Sequence, residues 1–215
     1  MHIYENLSFP CGNFARNIQR MVVFPRAKIN IGLRIIEKRT DGFHNIQTVF
    51  YPVGLADALE YVVAEEGSGS DSLVETGIQS GCKAEENIVI KALNKVRAIH
   101  HVPYLKIHLH KAIPPGAGLG GGSSDAACLI RSLNRYFKLD LSQSSLKEIA
   151  SSLGSDCPFF IDNVPSYGEG RGEILTPVEP LPGTYHIVIM KPDYEISTAD
   201  AYRNCIQRQC CKVIL

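Results

Sequence analysis

Residues 113–127 have the sequence IPPGAGLGGGSSDAA, in which five glycines fall within seven residues. Glycine tolerates a positive φ and lets the backbone approach a ligand closely. A glycine-rich loop that runs into a helix presents free N–H groups and the positive end of the helix dipole. The loop lacks both the Gly-Lys-Ser/Thr ending of a Walker A motif and the spacing of a dinucleotide fingerprint. We therefore predict a phosphate-binding loop, with a flexible linker as the alternative.

A helical pattern begins directly after the glycines. Ser123 or Ser124 is a favourable N-cap residue, and Asp125 would then lie in the first helical turn. Apolar residues recur every three or four positions on one face of this helix, at Ala126, Ile130, Leu133 and Phe137. Residues 105–111 alternate between apolar and polar side chains, which predicts a strand. The local order is therefore strand, phosphate loop, helix.

The composition is that of a globular protein with a local ligand site. The 215 residues suffice for one large domain or two small ones, and 45% of them are hydrophobic. Lys+Arg and Asp+Glu both number 22, so no excess of positive charge predicts a nucleic-acid partner. No apolar run is long enough to span a membrane, so we expect no membrane partner.

The cysteines and histidines do not form a clear metal site. Seven cysteines occur without a Cys-x-x-Cys pair, which favours reduced thiols and a cytoplasmic protein. Cys205, Cys210 and Cys211 lack a second ligand pair, so a zinc site there is not favoured. His108 and His110 could bind a metal, but a polar sheet face is the simpler interpretation. We predict no protein metal centre.

The remaining periodicity predicts short elements. Asn87 and Ser142 are favourable N-caps for two further helices. The expected strands, the first with one buried face, cover residues 29–35, 43–51, 59–64, 168–178 and 186–190. Residues 65–82 are rich in Gly and Ser, and we expect an exposed loop there.

Three further motifs accompany the glycine-rich loop. Residues 25–30 have the sequence PRAKIN, residues 41–44 have DGFH, and residues 154–160 have GSDCPFF. Together with the loop, they resemble the GHMP kinases over about residues 22–202. This resemblance implies an α+β fold, with a domain like domain 2 of ribosomal protein S5 followed by a ferredoxin-like domain.

The resemblance also suggests a division of the chain. We expect residues 1–20 to be a disordered extension, with Met21 as the natural start. Residues 21–180 would form the ATP-binding N-terminal domain, and residues 181–215 would begin a truncated C-terminal domain. The family's third glycine-rich motif is absent. Uncovered apolar residues such as Ile187 and Ile189 would then favour self-association.

The reaction that the resemblance implies is the transfer of the γ-phosphoryl group of ATP to an alcohol, with Mg²⁺ bridging the phosphates. Lys28 matches the active-site lysine of Pro-Ala-Lys-x-Asn, although Arg26 interrupts that motif here. Asp156 matches the catalytic aspartate of Gly-x-Asp-x-Pro-Phe-Phe, and Lys28 would orient it and keep it ionised. Ser124 is a candidate magnesium ligand. The expected ATP-binding residues are Pro114, Pro115, Gly116, Ala117, Gly118, Leu119, Gly120, Gly121, Gly122, Ser123 and Ser124.

The same resemblance implies the substrate. The Asp-Gly-Tyr-His motif is typical of the GHMP kinases that phosphorylate a cytidine diphosphate derivative of methylerythritol in non-mevalonate isoprenoid biosynthesis. Phe43 replaces the tyrosine, which keeps a stacking ring, and His44 would bond the base edge. Tyr202 would supply a second aromatic ring. Two alternatives stay open: a kinase for another small alcohol such as mevalonate or a sugar, and a catalytically impaired nucleotide-binding fragment.

Overall fold

The computed structural model describes residues 20–183 and 186–192. It has mixed α+β architecture, as the sequence predicts. The strands are β1 (Met21–Val23), β2 (Arg26–Lys38), β3 (His44–Ala56), β4 (Ala58–Val63), β5 (Ser72–Gly77), β6 (Leu105–Lys111), β7 (Ser166–Glu169) and β8 (Ile174–Pro177). The α-helices are α1 (Ile88–Arg97), α2 (Gly121–Tyr136), α3 (Gln143–Ser151) and α4 (Cys157–Asp162), with a 3-10 turn at Ala84–Glu86.

The strands form two four-stranded sheets. One has the order β1-β4-β6-β5 and the other the order β2-β3-β7-β8. All pairs are antiparallel except β5 and β6, which are parallel and are joined through α1. This crossover brings β6 to the centre of its sheet, and the glycine-rich loop leaves from its end.

The main core lies between the first sheet and the helices, and it includes Phe50 of β3 in the second sheet. On β6, Leu105, Ile107 and Leu109 are buried, whereas the side chains between them are exposed, as the alternation predicts. The predicted caps are also observed, since Asn87 accepts a hydrogen bond from Val89 N and Ser142 accepts one from Ser145 N. The strand that precedes the glycine-rich loop is therefore packed into the core.

Only the start of β2 is buried, at Ala27 and Lys28, whereas residues 29–35 are half-buried or exposed, so the prediction of one buried face over residues 29–35 is wrong in part. The register with β3 shifts between Ile31 and Arg34, and Gly32 has φ 66°. Such a bulge bends the strand and changes the facing of the residues that follow. Leu33 is consequently 50% exposed.

Three other segments differ from the predictions. Residues 65–82 are not wholly a loop, because β5 pairs with β6 along its full length. Residues 168–178 contain two short strands joined by a turn rather than one strand. Residues 186–192 have no regular secondary structure, so the strand expected at 186–190 is absent from the described chain. Within that segment, Ile189 packs against a small apolar cluster while Ile187 is 41% exposed.

The proposed N-terminal extension, except for Arg20, and Tyr202 lie outside the described residues. The boundary expected after residue 180 stays a prediction. None of the helices within residues 20–183 and 186–192 is long and apolar enough to cross a bilayer.

Candidate active site

The glycine-rich loop is held in one conformation by its own backbone and by its apolar side chains. Gly116, Gly118 and Gly120 have φ of 69°, 72° and 71°, which side chains with a Cβ rarely adopt. Between two of these glycines, Leu119 is buried in a cluster with Ala27, Val53 and Ile113. Alternating left-handed glycines therefore turn the backbone while the residues between them anchor it.

Helix α2 begins earlier than predicted. Its N-cap is Gly120, no side chain caps it, and Ser124 N is already bonded to Gly120 O at 2.9 Å. The prediction of Ser123 or Ser124 as the cap, with Asp125 in the first turn, is therefore wrong. The reason is that left-handed Gly120 ends the loop without needing a side-chain acceptor. The N–H groups free of intrahelical bonds at this end precede Ser124.

A cleft of ≈ 390 Å³ lies along this loop and the first turn of α2. One wall comes from β5 and the residues after it, including Glu75, Cys82 and Asn87. The other wall is the predicted phosphate loop, residues 114–123, together with Asp125. Ser124 is 2% exposed and does not line this cleft, whereas Ser123 does. The cleft thus lies between the glycine-rich backbone and the residues around β5.

The fold brings Lys28 and Asp156 together, although they are 128 residues apart in the sequence. Lys28 Nζ lies 3.4 Å from Asp156 Oδ2 and donates to Asn30 Oδ1 at 2.6 Å. The Lys28 side chain is 6% exposed, whereas that of Asp156 is 33% exposed. The Lys28 ammonium also lies 5.1 Å from the centre of the Phe50 ring. A fixed cation therefore holds a carboxylate that a ligand can reach.

The same lysine contacts the glycine-rich loop. Lys28 N donates to Leu119 O at 2.9 Å. A Cβ at Gly120 would lie 3.2 Å from Lys28 Cγ and 2.7 Å from Phe160 Cζ, so the loop packs directly on β2 and α4. Asp156, which precedes α4, is thereby fixed relative to the loop.

Phe43 and His44 lie at the opposite end of the β2–β3 hairpin from Lys28. The register pairs His44 with Lys38 and Lys28 with Pro52. The Phe43 ring is 51% exposed and has the Arg171 guanidinium 4.8 Å from its centre. The structure therefore does not place these aromatic and imidazole groups beside Lys28 and Asp156.

One feature of the site escaped the sequence prediction: a buried cluster of Asp57, Lys111 and Asp125. Lys111 Nζ donates to Asp57 Oδ2 and, at 2.7 Å, to Asp125 Oδ2. The residues Asp57 and Asp125 are 0% and 1% exposed. Burial raises the pKa of Asp125 to about 8, although the positive charge of Lys111 acts in the opposite direction. Burial also lowers the pKa of Lys111, but the two aspartates outweigh this effect, so the pKa of Lys111 is raised.

Comparison with known proteins agrees with this arrangement. The sequence signature of the GHMP kinases N terminal domain matches residues 87–164. A protein of Bacteroides thetaiotaomicron named 4-diphosphocytidyl-2-C-methyl-D-erythritol kinase is 48% identical over 184 residues, which is 86% of this chain and 67% of that protein. The protein of the same name from Parabacteroides distasonis is 46% identical over 182 residues, 85% of this chain and 66% of its own length.

A solved structure gives the same result. The crystal structure of a 4-(cytidine 5'-diphospho)-2C-methyl-D-erythritol kinase matches with a TM-score of 0.61 and 34% identity, and covers 74% of this chain and 55% of that one. This chain thus spans about two thirds of the length of the curated relatives. The shared sequence includes the glycine-rich loop and extends over most of the chain. The chain therefore belongs to the GHMP kinases, a family of small-molecule kinases, and within them to the 4-diphosphocytidyl-2-C-methyl-D-erythritol kinases.

Proposed function

We propose that this chain phosphorylates 4-diphosphocytidyl-2-C-methyl-D-erythritol at its tertiary 2-hydroxyl with ATP, in non-mevalonate isoprenoid biosynthesis. The observation that carries the proposal is the pair of Lys28 and Asp156, 3.4 Å apart beside the glycine-rich loop. The names of the relatives supply the substrate.

The triphosphate of ATP would lie against the glycine-rich loop. The N–H groups of the loop and of the first turn of α2 carry the positive end of the helix dipole, which attracts phosphate oxygens. Gly116 and Gly118 have no atom within 4 Å of a hypothetical Cβ, so a ligand can approach their backbone. The nucleoside would extend into the cleft beside Asn87 and Cys82.

Asp156 would take the proton from the attacking hydroxyl. As the hydroxyl oxygen bonds to the γ-phosphorus, the bond from that phosphorus to the bridging oxygen breaks and ADP leaves. General base catalysis of this kind contributes typically ~10²–10⁴-fold in rate. Lys28 would fix the Asp156 carboxylate, because its own position is set by Asn30 and by the bond to Leu119.

Magnesium fits the chemistry of the donors at the cleft. Mg²⁺ prefers oxygen ligands and keeps phosphate oxygens and water among them. Glu75 and Ser123 bear oxygens on the cleft, whereas Asp125 is 1% exposed and is held by Lys111. We propose Ser123 rather than the buried Ser124 as the hydroxyl that would hold it. The ion would neutralise phosphate charge.

The distance of Phe43 and His44 from the reacting groups suits an elongated substrate. Cytosine and the tertiary hydroxyl lie at opposite ends of such a molecule, with ribose and a diphosphate between them. His44 would bond the edge of the base and Phe43 would stack on its face. Tyr202, which lies outside the described residues, is proposed as a second aromatic group for the same base.

We also propose a reducing, cytoplasmic compartment, because Cys82, Cys128 and Cys157 are free thiols.

The test is a coupled ADP-release assay with ATP and the cytidine substrate. Asp156→Asn should lower kcat by ~10²–10⁴-fold and leave the Kd for ATP unchanged. Asp162→Asn is the matched control, because Asp162 ends the same helix and pairs with a lysine, Lys147, on the surface. An equal loss of turnover and of ATP binding in Asp156→Asn would show that Asp156 is structural.

A second measurement separates this substrate from mevalonate or a sugar. Calorimetry should detect binding of a cytidine nucleotide to the wild type, and His44→Ala should weaken it by roughly tenfold or more, since an unpaired base edge costs about 1–3 kcal/mol. The KM for ATP should stay unchanged. Turnover of mevalonate without binding of cytidine nucleotides would favour the alternative.

A further inference from the structure

The buried cluster of Asp57, Lys111 and Asp125 lies directly beneath the glycine-rich loop. Lys111 is the last residue of β6, Asp57 connects β3 to β4, and Asp125 lies on α2. A Cβ at Gly121 would lie 3.2 Å from Lys111 Nζ. The ammonium therefore lies just under the first residue of α2, without any part in the reaction proposed above.

The cluster holds both ends of the loop. At the beginning, Asp57 Oδ1 accepts from Ala112 N at 2.6 Å and from Ile113 N at 2.8 Å. At the end, Lys111 Nζ is bonded to Asp125 on the second turn of α2. The Lys111 ammonium thus connects Asp57, which binds the first residues of the loop, to Asp125, which lies on the helix that follows the loop.

We infer that Lys111 is a positioning residue, which fixes the two ends of the loop so that its N–H groups converge on the nucleotide phosphates. This inference rests on the proposed function only in taking the loop as the nucleotide site. Lys111 is poorly placed as a direct phosphate ligand, because its side chain is 5% exposed and its ammonium is bonded to Asp57 and Asp125.

Energetics favour positioning over stability as the reason for the cluster. Desolvating buried ions costs several kcal/mol per ion, and apolar replacements of similar volume are often as stable or more so. Here one buried ammonium is shared by two buried aspartate side chains, and Asp125 Oδ1 has no hydrogen-bond partner among the described residues. An arrangement that is this costly is better explained by the backbone geometry that it enforces.

The experiment compares Lys111→Met with Lys106→Met. Both lysines lie on β6, but Lys106 pairs only with Glu65, and both of those side chains are more than half exposed. Calorimetry with ATP should show about tenfold weaker binding for Lys111→Met, which corresponds to a loop that is competent about a tenth of the time. The Kd for a cytidine nucleotide should not change, and Lys106→Met should match the wild type in both.

Hydrogen exchange gives a readout of the loop itself. In Lys111→Met, amides of residues 112–122 should exchange faster than in the wild type, whereas amides of α1 (Ile88–Arg97) should keep their protection. Uniformly faster exchange in both regions would overturn the inference, because it would report a loss of global stability alone.

A triple variant separates positioning from folding. Asp57→Asn keeps an acceptor for Ala112 N and Ile113 N, while Lys111→Met and Asp125→Leu replace the charges by apolar groups. We expect this variant to recover the unfolding midpoint of the wild type and to keep the tenfold weaker ATP binding. Recovery of both would overturn the inference. A wild type that binds no ATP would instead refute the proposed function.

Discussion

Replacing Gly120 by alanine tests the close packing between the glycine-rich loop and the Lys28–Asp156 pair. Gly120 has φ 71°, and its added Cβ would lie 2.7 Å and 2.9 Å from two atoms of the Phe160 ring. Gly118 has φ 72° and nothing within 4 Å of its Cβ. The two alanine variants therefore share the same backbone strain and differ in the steric contact.

The magnitudes follow from these two contributions. A left-handed conformation costs a residue with a Cβ about 1–2 kcal/mol, so Gly118→Ala should lose that much free energy of unfolding. Forcing an extra carbon into a packed site costs typically about 1–3 kcal/mol more. Phe160 is 2% exposed and packs edge-on against Phe159, so its ring has little room to move. Gly120→Ala should therefore lose about 2–5 kcal/mol.

Urea denaturation of both variants measures the stability difference, and the ADP-release assay measures its effect on catalysis. In Gly120→Ala, kcat should fall as well, because the added Cβ would lie 3.2 Å from Lys28 Cγ and the ammonium of Lys28 holds Asp156. Equal losses of stability in the two variants would refute the steric argument. A stable Gly120→Ala with unchanged kcat would also refute the link between the loop and Lys28.

Two more predictions follow from the titratable groups. Burial raises the pKa of Asp125 from 3.8 to about 8, so the folded chain keeps a proton that the unfolded chain releases, and stability should fall as pH rises from about 4 to 8. Asp125→Asn should flatten this part of the profile of urea midpoint against pH. An equally steep profile in the variant would contradict the assignment of this pH dependence to Asp125. Lys111, whose pKa is raised above 10.5, contributes only at higher pH. Burial also raises the pKa values of Cys128 and Cys157 to about 11, so iodoacetamide should label them slowly at neutral pH. Exposed Cys82 should react quickly in the absence of ATP and slowly in its presence, since Cys82 lines the cleft. Peptide mass spectrometry measures this labelling, and labelling of Cys82 that ATP does not change would contradict the proposed ATP site.

Some elements of the fold were predictable from local sequence signals alone. The alternation of β6 and the cap residues Asn87 and Ser142 are local signals, and the structure confirms them. Strand β5 was missed because it has only two adjacent apolar residues, Leu73 and Val74, and Val74 is 57% exposed. Its extended conformation comes from parallel pairing with β6, which is an interaction that its own sequence does not encode.

The site was predictable to the extent that motifs mark it. Lys28 and Asp156 were assigned from two separate motifs, and the structure brings them together. The charged cluster under the loop carries no such signal, because Lys111 lies 54 residues from Asp57 and 14 from Asp125. Charged residues are usually solvated, and only tertiary structure reveals that these three are buried.

Lys28 joins the two halves of the proposed mechanism. Its backbone N–H holds Leu119 of the loop, its Cγ lies beneath Gly120, and its ammonium holds Asp156. A shift of the loop would therefore move the residue that orients the proposed catalytic carboxylate. Binding of the triphosphate should therefore also order the Lys28–Asp156 pair, so that loop substitutions that weaken ATP binding lower kcat as well. Substitutions at Phe43 or His44, at the far end of the hairpin, should instead change the KM for the cytidine substrate and leave that coupling intact.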